Sequence, residues 1–149
     1  MVAVNQAMLF MKKLDKILLV DDDEIANFYN QTIIEDMQIA RNIVVKTNGA
    51  EALRFLEDQC WMGDGFSKET CPEIIFLDVN MPVMNGLEFL AEMNKKNPLY
   101  LSRSRVVMLT SSSNSRDLET ARMLGIKAYL NKPLTEEKIN ELLEDDLAA

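Results

Sequence analysis

Four short apolar runs, each leading into a polar cluster, constrain this chain more than any bulk property. Ile17-Leu18-Leu19-Val20 runs into Asp21-Asp22-Asp23, and Ile74-Ile75-Phe76-Leu77 into Asp78. Val106-Val107-Met108-Leu109 runs into Thr110-Ser111, and Ala128-Tyr129-Leu130 leads to Lys132-Pro133. Runs this short and this apolar, separated by helical patterns, read as buried strands of a parallel sheet. In an open parallel sheet the ligand crevice lies beyond the carboxyl ends of the strands. The sequence therefore gathers several carboxylates, a hydroxyl and a lysine at one edge. That combination suits a divalent cation and a phosphoryl group.

The segments between the runs supply the helices. From Glu24 to Met37, the residues Ile25, Phe28 or Tyr29, Thr32, Ile33 and Met37 recur at helical spacing, with acids near the amino end where the dipole favours them. Ile43 to Thr47 alternates and is rich in β-branched residues, which predicts a further strand. Asn48-Gly49 opens a helix over Ala50–Asp58 that packs through Ala52, Leu53 and Leu56. Gln59 to Pro72 holds scattered polar residues, glycines and a proline, and reads as a loop in which Trp61, Met62 and Phe66 pack locally. A helix over Gly86–Asn94 turns Leu87, Leu90 and Met93 inward. Another spans Ser115–Leu124 and ends at Gly125 in the left-handed conformation. Lys127–Leu130 is the last strand. Thr135 caps the final helix, with Glu136 and Glu137 in its first turn and Ile139, Leu142 and Leu143 on the sheet. Five strands alternating with five helices predict an α/β, doubly wound sandwich.

Composition narrows the function classes. The net charge is -8, with no stripe of Lys and Arg, so direct nucleic-acid binding is not expected. There is no histidine, which excludes histidine acid–base catalysis, histidine metal ligands and a phosphohistidine within this chain. Cys60 and Cys71 match no zinc pattern and are expected as free thiols in a reducing, cytoplasmic setting. No apolar run approaches the roughly 18 residues needed to span a bilayer. The 149 residues suit one domain. Residues 1–13 read as an N-terminal extension, expected to be disordered, and 14–147 as the domain.

The combination ILLVDDD, IIFLDVNMPVMNG, VVMLTSS and AYLNKP, in that order and spacing, resembles a response-regulator receiver domain of two-component signalling, of the chemotaxis-regulator type. The likeness runs from about Lys16 to about Leu143. It implies a flavodoxin-like fold with strand order 2-1-3-4-5. It also implies that Asp78 is the phosphoacceptor, with Lys132 pairing a phosphoryl oxygen across a cis Lys132–Pro133 bond. A magnesium (or manganese) ion would be held by Asp21, Asp22, Asp78 and the main-chain carbonyl of Asn80. Thr110, Ser111 and Tyr129 would form the switch, and Gly86 would relieve strain in the turn after Met81-Pro82. Asp23 falls where the family varies and reads as a helix-capping acid. The partners implied are a sensor histidine kinase or histidine phosphotransfer protein, and a downstream protein target or a second copy. No separate output domain and no turnover of an external metabolite are expected.

Two other readings start from the same first strand. Four apolar residues followed by D-x-D resemble the opening of haloacid-dehalogenase-type phosphatases, which would make Asp21 the nucleophile. That reading wants an acidic pair at a later strand end and leaves Asp78 unexplained. A calcium loop counted from Asp21 puts Ile25 and Ala26 where an oxygen ligand and a glycine belong.

Overall fold

The computed structural model of the chain describes residues 13–61, 70–81, 83–98, 100, 104–111, 115–126 and 128–148. The expected disordered extension, apart from Lys13, and the packing expected of Met62 and Phe66 lie outside the described residues. The elements alternate: β1 (Leu14–Val20), α1 (Glu24–Met37), β2 (Ala40–Lys46), α2 (Gly49–Gln59), β3 (Ile74–Asp78), α3 (Gly86–Lys96), β4 (Arg105–Thr110), α4 (Ser115–Met123), β5 (Ala128–Asn131) and α5 (Glu136–Ala148). The strands form one parallel sheet in the order β2-β1-β3-β4-β5, as the resemblance implies.

Helices cover both faces, which is why the strand runs are continuously apolar. Leu18, Ile75, Leu77 and Met108 face the layer carrying α2 and α3. Ile17, Leu19, Phe76 and Val107 face α1 and α5. Asn48 caps α2 by accepting from the Glu51 amide, and Asn85 with Glu88 forms a reciprocal capping box on α3. No helix among the described residues is long and apolar enough to cross a membrane.

Helix α1 has the expected ends and only part of the expected face: Ile33 and Met37 pack against the core, but the first turns do not. Ile25 and Phe28 are 80% and 74% exposed, while the residues buried on this helix are Asn27, Asn30 and Ile34. Periodicity locates a helix but does not register the demand of a backbone carbonyl beneath it. Here the side chain of Asn27 donates from Nδ2 to the carbonyl of Asp21 at 2.7 Å. A buried peptide group must find such a partner.

The free-thiol expectation also fails, since Cys60 and Cys71 form a disulfide with their Cα atoms 4.7 Å apart. The β–α–β crossover runs α2 back toward the amino edge of the sheet, so Cys60, just past its last residue, meets the segment leading into β3. Trp61, beside this bridge, sets its ring edge on Tyr100 with centroids 5.4 Å apart, so it packs locally as expected. On α3, the buried set includes Phe89 as well as Leu90 and Met93.

Candidate functional site

The sheet order decides which clusters meet. β1 lies between β2 and β3, and Val20 pairs with Leu77, so Asp21 and Asp78 leave adjacent strands side by side. β4 borders β3 on its other side, with Leu109 opposite Asp78, and β5 follows. The Lys132 amide donates to the Thr110 carbonyl at 2.8 Å, which carries the lysine from the edge strand back over the pocket. The Lys132–Pro133 bond is cis, as the resemblance implies.

Each carboxylate has a defined setting. Asp21, 2% exposed, accepts the Asp23 amide on Oδ1 at 3.0 Å and the Lys132 ammonium on Oδ2 at 2.9 Å. The same ammonium lies 3.1 Å from Oδ1 of Asp78, which is 5% exposed. Asp22 is exposed at the rim. One oxygen from each of Asp21, Asp22 and Asp78 lies within 4.8 Å of the others. Asp23 caps α1, accepting the amides of Ile25 at 2.9 Å and Ala26 at 3.3 Å. It is the capping acid that the sequence suggested.

Burial raises the Asp78 carboxyl to about 6, with the neighbouring Asp21 charge adding to the effect. The Lys132 charge and hydrogen bond and the Asn80 amide oppose this shift without cancelling it. Burial acts to lower the Lys132 pKa, but its hydrogen bond to Asp21 and the charges of Asp78 and Asp21 raise it on balance, so the lysine stays cationic. Three hard oxygen donors at this spacing fit a dication of the magnesium class, which takes a few carboxylates and keeps several waters. The ammonium already seated between two of them shows that the pocket accommodates positive charge.

The turn after Asp78 fits closely against the strand end. A Cβ on Gly86 would lie 2.6 Å from the Asp78 carbonyl oxygen and 3.0 Å from the Val79 Cα. Glycine is thus required for close approach, and the expected relief of backbone strain is not its role. The left-handed residue in the turn is Val83, at φ 68°. Thr110 is buried beside the pocket and Ser111 is exposed at its rim. Asn80 reaches the pocket through its amide, which bonds the Asp78 carboxylate. Tyr129 stands apart: it is 36% exposed, and its hydroxyl accepts from Arg122 Nη2 of α4 at 3.3 Å. Asn27 is the pocket neighbour that sequence reasoning missed. One amide of three in its stretch, with Asn30 and Gln31 close by, gave no signal of a strand end beneath it.

Residues 17–144 match the response regulator receiver domain family. The chain belongs to that family. Response regulator Rcp1 of Synechocystis is 34% identical over 116 residues, covering 78% of this chain and 75% of that protein. The chemotaxis protein CheY of Halobacterium salinarum is 25% identical over 135 residues, 90% of this chain and 98% of that one. The crystal structure of a two-component response regulator from Cytophaga hutchinsonii superposes with a TM-score of 0.79 at 33% identity, over 93% of this chain and 100% of that one. A receiver assignment explains Asp78, which the phosphatase reading left over.

Proposed function

We propose that this receiver is a phosphorylation-dependent switch whose Asp78 accepts a phosphoryl group from the phosphohistidine of a sensor kinase or phosphotransfer protein. The observation that carries the reading is the Lys132 ammonium shared by Asp21 and Asp78 beside a third carboxylate, which sets a nucleophilic carboxylate, a cation-attracting cluster and a phosphoryl-pairing lysine side by side. An Asp78 oxygen attacks phosphorus, the phosphorus–nitrogen bond of the donor breaks, and the donor imidazole keeps the electron pair. Magnesium or manganese, when held by Asp21, Asp22, Asp78 and the Asn80 carbonyl, would offset the repulsion between carboxylate and phosphoryl oxygens and align them for in-line displacement.

Lys132 then pairs with a phosphoryl oxygen as a flexible point charge. The Thr110 hydroxyl donates to another, and exposed Ser111 leaves room for the donor. Thr110 and Lys132 precede α4 and α5, so a phosphoryl group held by both repositions the face formed by α4, β5 and α5. Tyr129, now tied to Arg122, turns inward in that state. Such a shift needs a few kcal/mol of differential interaction, within reach of one or two charge-assisted hydrogen bonds. The readout is a downstream protein or a second copy of the chain.

The protein turns over no external metabolite. We place it in the cytoplasm, the compartment of ATP-dependent kinases, although the buried Cys60–Cys71 disulfide is uncommon there. Incubation with a small-molecule phosphodonor and magnesium should add the mass of one phosphoryl group to the intact protein. No adduct on the wild type, or an undiminished one on Asp78→Asn, would overturn the reading.

A further inference from the structure

We propose that Asn27 is a positioning residue of the phosphoryl-transfer pocket, acting through the Asp21–Asp22 peptide to aim the Asp22 carboxylate. The inference rests on the magnesium reading above. It starts from the first two turns of α1, which expose Ile25 and Phe28 and bury Asn27 and Asn30, each 5% exposed. Burying an amide is unfavourable unless it is hydrogen-bonded, and both of its polar atoms need partners. Asn27 is only half compensated. Its Nδ2 donates to the Asp21 carbonyl at 2.7 Å, whereas its Oδ1 has no hydrogen-bond partner among the described residues. An amide kept in the interior with one bond, and that bond directed at the pocket, is poorly explained by stability.

The peptide plane gives the bond its leverage. The Asp21 carbonyl and the Asp22 N–Cα bond share one rigid plane. On the strand side, the Asp21 amide donates to the Lys46 carbonyl at 3.1 Å. The Asp21 side chain is held by the Asp23 amide and by Lys132. Asn27 supplies the remaining restraint, on the carbonyl, and so sets the plane from which Asp22 departs. Asp22 is exposed and must be aimed by its backbone. Without the Nδ2 donor, the plane can tilt and the third oxygen leaves the set that lies within 4.8 Å.

The test is a magnesium chloride titration of the full chain followed by NMR. In the wild type, the Asn27 side-chain NH2 resonances should move with the same midpoint as the Asp22 backbone amide, while those of Asn30 stay still. Asn27→Leu, which keeps volume and removes the donor, should weaken magnesium binding by roughly tenfold, the range for lost support of a metal ligand. Asn30→Leu, equally buried one turn along, should leave the affinity nearly unchanged. Asn27 resonances that stay still while Asp22 shifts would overturn the positioning role, and this measurement needs no variant to fold. So would equal losses of affinity in the two leucine variants. Absence of any magnesium-dependent shift at Asp22 and Asn80 would instead remove the metal reading, and this inference with it.

Discussion

Replacing Lys132 by methionine is expected to destabilise the metal-free protein by about 3 kcal/mol at pH 8, the scale for breaking a buried ion pair from one side. The lysine is the counter-charge common to Asp21 and Asp78, at 2.9 and 3.1 Å, and both carboxylates are buried. Methionine is unbranched and only one atom shorter, so the stem still packs and the effect is mainly that of the charge. The loss should depend on pH in a definite sense. Lys132 opposes the upward shift of Asp78, so its removal lifts that carboxyl beyond about 6. Below that point the carboxyl is protonated and needs no counter-charge, and the penalty shrinks. Urea unfolding, followed by the fluorescence of Trp61, the single tryptophan, at pH 5 and pH 8 reads the difference. Equal penalties at the two pH values would contradict the account.

Asp78→Asn should have the opposite sign, stabilising the metal-free fold at neutral pH by on the order of 2–3 kcal/mol. The folded-state pKa of about 6 lies above the ordinary 3.8, so the folded protein holds a proton that the unfolded chain has released. Stability therefore falls as pH rises from about 4 to about 6 and stays at the lower level above. Asparagine resembles the protonated carboxyl and removes that dependence. The gain should be full at pH 8 and nearly absent at pH 4. A variant less stable than the wild type at pH 8 would show that Asp78 is more favourably held than its burial implies. A functional residue that costs stability is a common signature of a site shaped for chemistry.

The parts of this architecture that were legible in the sequence share a cause. A strand buried on both faces shows itself as an apolar run, and the residue after that run is at the carboxyl edge by construction. Asp21, Asp78 and Thr110 could thus be assigned to one place before any geometry was known. The strand order came from family resemblance, because alternation alone does not say that β1 sits centrally between β2 and β3. Ile33 and Met37 on α1 face the core as read, but its first turns were misread because hydrophobic periodicity carries no information about which carbonyl needs a donor, and Asn27 was lost with them. Gly86 was correctly picked out but for the wrong physical reason: the constraint is the Asp78 carbonyl 2.6 Å from its missing Cβ. The Cys60–Cys71 pairing depends on where a crossover helix ends relative to the next strand, which an 11-residue spacing does not encode.

The most direct test of the central claim is the location of the phosphoryl group. The protein is treated with a small-molecule phosphodonor and magnesium, then with borohydride, which reduces an aspartyl phosphate to homoserine, and its peptides are sequenced by mass spectrometry. Homoserine in place of Asp78, and none in the Asp78→Asn variant, is the expected result. Homoserine in place of Asp21, or a phosphoryl group on a hydroxyl side chain with Asp78 untouched, would contradict the account.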